Sequence, residues 1–401
     1  MDKLDQIFNS FVASSIFKNK SVLQSSYSPE TILHRSAQIE NIASILGPTL
    51  AGERASNIFL YGKTGTGKTL SARYVGEKLE SKVKSAGKSH LKFLYINCKS
   101  KKVSDTEYRI IAELITQLGG KVPATGLPTD SVYSKFIEMI DNKKQIIVLV
   151  LDEVDQAVKK ISDNFIYTLT RINSDLKNAQ ISLVGISNSL TFMDNLDPRV
   201  RSSLGEEEII FPPYNALQLR DILTERAKAA FNDGVLEEGV IAKCAAYAAR
   251  EHGDARRALD LLRVAGEIAV REGDLNVKLS HIDTANQKIE RDKMLDIIES
   301  EPTQFQLVLY SIISLDKNKD YGTIFTGDVY NVYQDLCNQT KNEILTQRRV
   351  SDILAEFDML GLINARVISK GRQGRTREIK LSLSPNIKEK AEDILRKALD
   401  I

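Results

Sequence analysis

The sequence predicts a three-part chain: a parallel α/β domain with helices on both faces of its sheet, an α-helical bundle, and a C-terminal winged helix-turn-helix. Buried strand patterns alternate with amphipathic helices up to about residue 213, which is typical of a parallel sheet. Only helical patterns follow, up to about residue 293, and three helices with two strands then close the chain. We therefore expect an N-terminal arm over residues 1–30 and domains over 31–213, 214–293 and 294–401.

Composition is that of an ordinary globular protein. The 401 residues are 42% apolar and 27% charged, and no apolar run reaches the roughly 20 residues that span a bilayer. Cys98, Cys244 and Cys337 lie far apart, which favours a reducing compartment over a disulfide framework. The net charge of +2 does not indicate nucleic-acid binding, so any such binding must depend on local clusters. We expect a cytoplasmic protein with no membrane partner.

The strands of the α/β domain are read from short apolar runs. NIFLYG is a buried strand that enters a glycine-rich loop, and LSARYVGEKLESKV is the helix after that loop. KFLYINC is the second strand. QIIVLVLDEVD is the most apolar strand and suits the centre of a sheet that is covered on both faces. ISLVGISNS is a further buried strand.

The loop after the first strand fits the phosphate-binding pattern G-x-x-x-x-G-K-[ST] in the strand–loop–helix context that this pattern requires. Its residues are Gly62, Lys63, Thr64, Gly65, Thr66, Gly67, Lys68 and Thr69. Glycines let backbone N–H groups turn inward around phosphate oxygens, and the helix N-terminus adds partial positive charge. We expect Lys68 to reach the β- and γ-phosphates and the Thr69 hydroxyl to ligate Mg²⁺. The alternative is a chance glycine-rich turn, which the flanking strand and helix disfavour.

Polar residues at the ends of the two later strands predict the rest of an ATPase-type site for ATP or ADP with Mg²⁺. Asp152 ends the most apolar strand and is expected to hold Mg²⁺, directly or through water. Glu153 can orient or polarise an attacking water. Asp155 is a candidate cap of the following helix. Asn188 follows the next strand, from which it can reach the γ-phosphate or its water.

A helix in the bundle begins with two arginines that compete for one role. In Gly253-Asp254-Ala255-Arg256, the arginine can bend back onto the γ-phosphate and report which nucleotide is bound. Arg257 is the competing choice. On spacing alone, an arginine on a solvated helix face is the better explanation.

In combination these motifs resemble a known family. The blocks that carry the resemblance are, in order, YGKTGTGKT, LVLDEVD, GISNS, LDPRVRSSL, FPPYNALQLRDILTERA and HGDARRAL. They are similar to AAA+ ATPases of the initiator clade, specifically the archaeal origin-recognition and cell-division-control initiators, over almost the whole chain. The resemblance implies that Tyr214 and Arg226 contact the nucleotide and that sensor roles fall on Asn188 and Arg256.

The sequence departs from the family pattern in two places. The family's L-P-H-R-E-x-Q reads Leu33-His34-Arg35-Ser36-Ala37-Gln38 here. The pocket for the base of the nucleotide is therefore expected to differ slightly from that of the family. Related loaders carry Ser-Arg as a finger that reaches a neighbouring subunit's nucleotide, whereas the comparable place here reads Arg201-Ser202-Ser203. Arg199 and Arg201 are the candidates for this role. An arginine supplied by a neighbouring subunit contributes roughly 10³ or more to the rate of hydrolysis. Because the usual Ser-Arg is missing here, hydrolysis is expected to be slow.

The last hundred residues predict a winged helix-turn-helix. FQLVLYSIISL, GDVYNVYQDLCNQ and TQRRVSDILAEFDMLGLI read as helices, and the basic stretch SKGRQGRT joins two strands after them. We expect Thr346 to cap the third helix. The predicted buried stripe of that helix is Val350, Ile353, Leu354, Phe357 and Leu360.

Basic and polar residues of the third helix and the hairpin are the expected DNA contacts, since a recognition helix meets DNA through its first turns. They are Gln347, Arg348, Arg349, Ser351, Lys370, Arg372, Arg375 and Arg377. Arginines at a hairpin tip can read the width of a minor groove. The alternative is a solvated basic loop or a winged helix that binds protein. A second candidate DNA contact lies where the family has a helical insertion, which VPATGLPTDSVYSKF fits. The alternative for this stretch is a surface loop between two helices, and the sequence alone does not decide between them.

The leading hypothesis is an ATP-dependent initiator of DNA replication. It would bind double-stranded origin DNA, help recruit or load the replicative helicase, and work beside paralogous initiators in the nucleoid. The nucleotide would be a conformational switch with weak ATPase activity. The alternative is a sequence-specific transcription regulator that senses nucleotide. A processive motor or clamp loader is disfavoured by the missing Ser-Arg and by the fused winged helix.

Overall fold

A computed structural model describes residues 16–100, 106–123, 126–204, 206–317, 323–369 and 375–401. The chain divides into two compact units, one from Met1 to Ile282 and one from Asp283 to Ile401. In the described ranges no helix has both the length and the apolar character needed to cross a membrane. All three cysteines are free and buried.

Parallel strands form the centre of the first unit. They are β1 Ile58–Tyr61, β2 Leu91–Asn97, β3 Gln145–Asp152, β4 Ala179–Ser187 and β5 Glu207–Ile210. Over the described residues their order is β2-β3-β4-β1-β5, and every pair is parallel. The predicted α/β class is confirmed, and β3 is buried along its whole length, as expected of a central strand. Strand β5 was not predicted, because its sequence EEII has too few apolar residues to stand out.

Helices cover both faces of this sheet. They are α1 Ser36–Leu46, α2 Lys68–Ser85, α3 Glu107–Gln117, α4 Thr129–Ile140, α5 Val154–Lys160, α6 Asn164–Arg171 and α7 Pro198–Leu204. Alternate side chains of β3 enter different cores, as the period of two requires. Ile147 and Leu149 pack with α3 to α7, whereas Val148 and Val150 pack with α1 and α2. Both α3 and α4 lie in sequence between β2 and β3, where the insertion was predicted.

Helices follow the sheet in the first unit, and the N-terminal arm packs against them. These helices are α8 Ala216–Ala230, α9 Val240–Arg250 and α10 Ala255–Glu272, which we call the lid. The next helix, α11 Leu279–Ser300, begins in the first unit and continues into the second. The Phe17 ring stacks on Phe231 with centroids 4.8 Å apart, and a short 3₁₀ helix, Lys20–Leu23, packs on α8 and α10. The described part of the arm, residues 16–30, is therefore docked on the lid.

The second unit is a winged helix. Its elements are α12 Thr303–Lys317, β6 Ile324–Phe325, α13 Thr326–Thr340, α14 Gln347–Met359, β7 Ile363–Ser369, β8 Arg375–Leu381 and α15 Pro385–Leu399. The antiparallel sheet has the order β6-β8-β7 among described residues. The winged-helix prediction is confirmed, but β6 and α15 were not predicted. Ala391 and Leu395 of α15 are fully buried, and Lys388 pairs with Asp316 of α12.

The predicted cap of α14 is confirmed, and its predicted buried stripe is wrong at one residue. The Thr346 hydroxyl accepts a hydrogen bond from the Arg349 amide at 3.4 Å. The other four residues of the stripe are each at most 1% exposed: Val350, Ile353, Leu354 and Phe357. Leu360 is 37% exposed, and it lies just past Met359, the last residue of α14, so helical spacing no longer decides its direction.

Candidate nucleotide and DNA sites

The phosphate-binding loop leaves β1 at the carboxyl edge of the sheet and enters α2 at Lys68. Gly65 and Gly67 have φ of +71° and +92°, a conformation that strains any other residue. The amide of Ala255, at the start of α10, donates to the Gly65 carbonyl oxygen at 3.2 Å. A Cβ at Gly65 would lie 1.7 Å from Oδ1 of Asp254. The lid therefore touches the phosphate-binding loop directly, at a point with no room for a side chain.

Lys68 joins the loop to the strand beside it. Its Nζ donates to the carbonyl oxygens of Gly62 and Lys63 at 2.7 and 2.8 Å, and to Oδ1 of Asn188 at 2.9 Å. Burial lowers the pKa of Lys68 to about 8, although the charge of Asp152 acts in the opposite direction. The predicted lysine and the predicted Asn188 thus meet within hydrogen-bonding distance.

Asp152 ends β3 with both of its carboxylate oxygens engaged. Oδ2 accepts hydrogen bonds from the Thr69 hydroxyl at 2.7 Å and the Tyr95 hydroxyl at 2.6 Å. Oδ1 accepts one from the Glu153 amide at 2.9 Å. The two residues predicted to hold a metal, Thr69 and Asp152, therefore lie side by side, and both offer the oxygen ligands that Mg²⁺ prefers.

Glu153 has a strained backbone, with φ +54° and ψ +43°. A non-glycine residue in this region costs roughly 1–3 kcal/mol and is held there by its surroundings. Its carboxylate lies 3.8 Å from Nζ of Lys99, two residues after the end of β2. The side chain lines the same cavity as the loop and Asp152.

The role suggested for Asp155 is wrong. It makes no cap hydrogen bond to α5, whose N-cap position is Glu153. Instead its buried Oδ1 accepts a hydrogen bond from the Ser187 hydroxyl at 2.9 Å. Ser187 ends β4 next to Asn188, so Asp155 supports the segment that carries that residue. An acid three residues after a strand suggests a cap, and only the packing of α5 on β4 shows the actual partner.

Of the two competing arginines, Arg256 lines the cavity and Arg257 does not. Asp254 caps α10 by accepting from the Arg256 amide at 2.7 Å. Arg257 points to Glu251 instead, with Nε 3.1 Å from its carboxylate. The cavity encloses about 330 Å³ between the loop, the ends of β2 and β3, the lid and the arm residues Gln24 to Pro29.

Tyr214 and Arg226, the two residues placed by family resemblance, both line this cavity. Tyr214 is 5% exposed, and the Arg35 guanidinium lies 3.7 Å from its ring centroid. Arg226 donates to the Val22 carbonyl oxygen at 3.3 Å and lies 4.5 Å from the Tyr27 ring, so it also holds the arm.

Arg35 is a buried residue for which no functional role was predicted. It is 2% exposed and donates to the carbonyl oxygens of Thr66 at 2.8 Å, His34 at 3.0 Å and Pro212 at 2.6 Å. It joins the start of α1 to the phosphate-binding loop and to the chain that leads into the lid. In the sequence, the sign of such a role was the position of Arg35 inside the family's L-P-H-R-E-x-Q block.

Both finger candidates are paired with acids of their own chain. Arg199 forms a two-pronged pair with Asp197, both N–O distances being 3.0 Å. Arg201 Nη1 lies 3.3 Å from Asp194. Each side chain is more than half exposed.

The winged helix has a groove between α14 and the hairpin that contains several predicted DNA contacts. It measures about 470 Å³ and is lined by Thr326, Gln347, Arg348, Ser351, Val367, Thr376 and Arg377. Arg377 Nη1 donates to the Ser351 carbonyl oxygen at 2.7 Å, which fixes the hairpin to α14. Arg349 lies outside this lining and is 60% exposed. Lys370 and Arg372 lie outside the described residues, and β8 begins at Arg375.

Models of known families match three consecutive parts of the chain. An AAA domain matches residues 51–193, a Cdc6 AAA+ ATPase-type lid domain matches 220–287, and a CDC6 C-terminal winged helix domain matches 296–391. The fold and site thus define an AAA+ ATPase with a Cdc6-type lid and a winged helix.

Similar proteins show which family of AAA+ ATPases this chain belongs to. The ORC1-type DNA replication protein of Thermococcus onnurineus is 53% identical over 95% of this chain and 92% of its own length. The ORC1-type DNA replication protein 1 of Methanosarcina mazei is also 53% identical, over 95% and 91%. The structure of Aeropyrum pernix ORC1 in complex with DNA matches with a TM-score of 0.82 and 44% identity, over 96% of this chain and 97% of that one. The chain belongs to the ORC1-type DNA replication proteins.

Proposed function

We propose that this protein is an ATP-dependent initiator that binds double-stranded origin DNA and helps recruit or load the replicative helicase. Its relatives are named as DNA replication proteins, and one of them was solved with DNA. In this proposal ATP and ADP favour different conformations, and slow hydrolysis converts one into the other. Paralogous initiators are the further partners, and the protein resides with the DNA in the nucleoid.

One observation carries the switch: the cavity has walls from both the sheet domain and the lid. The Ala255 amide contacts the Gly65 carbonyl oxygen, and Arg256 of the lid lines the same cavity as Lys68. ATP has a γ-phosphate that both walls can contact, and ADP lacks it. The two nucleotides therefore differ in their affinity for a given arrangement of the sheet domain and the lid. A ligand shifts a conformational equilibrium only through such a difference in affinity.

The residues at the end of β3 fit a magnesium ion. Thr69 and Asp152 would hold it, and it would neutralise charge on the phosphates. Lys68 would exchange its backbone acceptors for phosphate oxygens, and Asn188 would remain beside it to orient a water. Glu153 would align that water for attack, once its carboxylate separates from Lys99.

Slow turnover is proposed from the two arginines of α7, Arg199 and Arg201, and the acids just before this helix. Asp197 and Asp194 hold Arg199 and Arg201, so either side chain must leave an ion pair before it can reach a neighbouring subunit. Water and salt screen exposed pairs of this kind, so each pair is weak. The ion pairs therefore hinder an arginine from reaching a neighbouring subunit's nucleotide but do not prevent it. An isolated molecule, which has no such neighbour, would hydrolyse ATP slowly.

DNA binding is assigned to the groove of the winged helix. Gln347, Arg348 and Ser351 line it from the first turns of α14, where a recognition helix meets base edges. Arg372 and Arg375 at the hairpin would enter a neighbouring minor groove.

Footprinting on origin and promoter DNA tests the proposal. We expect protection of origin sites and a different footprint with ATP than with ADP. Protection confined to promoters would favour the transcription regulator. Identical footprints with the two nucleotides would contradict the switch while leaving origin binding in place.

A further inference from the structure

Tyr95 contacts the carboxylate of Asp152, the proposed metal ligand, from a strand for which no chemical role was predicted. Its hydroxyl donates to Oδ2 of Asp152 at 2.6 Å. Tyr95 lies on β2, the neighbour of β3, where it is in register with Val150, two residues before Asp152. Tyr95 therefore reaches Asp152 from the neighbouring strand, near the carboxyl edge of the sheet, where the cavity lies.

The phenol completes a set of donors around one buried carboxylate. Asp152 is 4% exposed. Its Oδ2 accepts from the Tyr95 and Thr69 hydroxyls, and its Oδ1 accepts from the Glu153 amide. A carboxylate oxygen has about two lone-pair positions, so the two hydroxyls fill those of Oδ2. Without the phenol, Thr69 and one amide would be left to fix the orientation of this carboxylate.

Tyr95 is itself held rigidly as a donor. The guanidinium of Arg73 lies 3.7 Å from its ring centroid, and the Tyr95 carbonyl oxygen accepts from Gln117 Nε2 at 2.9 Å. A phenol has a pKa of about 10 and keeps its proton at neutral pH, so the hydroxyl acts as the donor. Both Arg73 and Tyr95 line the cavity.

We propose that Tyr95 is a positioning residue that sets the orientation of Asp152 and thereby the affinity of the site for the magnesium complex of ATP. The inference rests on the proposed nucleotide-binding function. Groups that hydrogen-bond to metal ligands orient them, and their loss typically weakens metal affinity 10–100-fold. The competing explanation is a tyrosine that merely satisfies its hydroxyl in the core.

Tyr95→Phe and Tyr133→Phe form a matched pair of variants. The Tyr133 hydroxyl also donates to a carboxylate, that of Glu107, at 2.6 Å, and it lies outside the cavity lining. Each substitution removes one hydrogen bond of the same kind from the same domain. ATP binding is measured by calorimetry at rising Mg²⁺ concentration and again in EDTA, with circular dichroism as a check of folding.

We expect Tyr95→Phe to need about ten times more Mg²⁺ for half-maximal stabilisation of the ATP complex. Its ATP affinity in EDTA should stay within about twofold of the wild type, and Tyr133→Phe should match the wild type in both measurements. An unchanged Mg²⁺ requirement in Tyr95→Phe overturns the inference. An equal loss of affinity in EDTA also overturns it, since the phenol would then support the pocket rather than the metal site. Failure of the wild type to bind ATP at any Mg²⁺ concentration would instead overturn the proposed function.

Discussion

Arg35 Nε donates a hydrogen bond to the carbonyl oxygen of Thr66 at 2.8 Å, and this bond ties the start of α1 to the phosphate-binding loop. The same guanidinium bonds the Pro212 carbonyl oxygen and covers the Tyr214 ring. One buried cation therefore fixes the position of the loop relative to the entrance of the lid.

Arg35→Met should weaken both stability and ATP binding. It leaves the carbonyl oxygens of Thr66 and Pro212 buried without donors, which should lower the free energy of unfolding by about 3 kcal/mol. The phosphate-binding loop loses its support, so ATP affinity should fall at least about tenfold. Urea unfolding and calorimetry measure these effects. Arg54→Met is the control, because Arg54 also donates to a backbone carbonyl, that of Ile181, away from the cavity. Equal ATP affinity in the two variants would contradict the role.

Gly65→Ala should separate the lid from the phosphate-binding loop. The new Cβ would collide with Asp254, and the positive φ adds strain. Gly87→Ala is a close control, since Gly87 has φ +70° and open space around it. Both variants should lose about 1 kcal/mol of stability from strain. Only Gly65→Ala should lose ATP affinity, by about tenfold or more. A similar loss in Gly87→Ala would remove the argument for lid contact.

ATP binding should take up protons at alkaline pH. Burial lowers the pKa of Lys68 to about 8, so the free protein loses this charge as the pH rises through that value. Phosphate favours the charged amine, and affinity should therefore fall between about pH 7 and pH 9. Calorimetry in two buffers of different ionisation enthalpy measures the uptake. Lys68→Arg should show no such uptake, because arginine stays charged. Zero uptake by the wild type at about pH 8.5 would disprove the assignment.

Glu153→Gln should abolish ATP turnover and spare ATP binding. The amide keeps the shape of the side chain but cannot act on the attacking water as a carboxylate does. Phosphate release measures turnover, and calorimetry measures binding. Glu138→Gln, an exposed position on α4, serves as the control. Turnover at the wild-type rate would refute the assigned role of Glu153.

Arg348→Ala should weaken DNA binding and its dependence on salt. Arg348 lines the groove beside α14, whereas Arg366 precedes the groove residue Val367 on β7 and so faces the other side of the hairpin. Loss of one phosphate contact should reduce the slope of log affinity against log salt by roughly 1. Arg366→Ala should leave the slope unchanged. Fluorescence anisotropy over a salt series distinguishes the two, and identical slopes would reject the groove as the DNA face.

The sequence by itself determined what depends on neighbours along the chain. The phosphate-binding loop is one continuous run, so its residues and the helix after it were predicted together. Burial of β3 followed from its unbroken apolar pattern. The Thr346 cap and the stripe of α14 followed from helical spacing, except at Leu360, where the helix had ended.

Only the tertiary structure decided which distant residues support these local motifs. Arg35 meets a carbonyl group 31 residues away and another 177 residues away, and Tyr95 meets Asp152 across 57 residues. Asp155 looked like a helix cap, yet it bonds Ser187, 32 residues later. A hydrogen bond requires only that donor and acceptor be close in space. When packed strands and helices bring the two together, the sequence around either residue carries no sign of its partner.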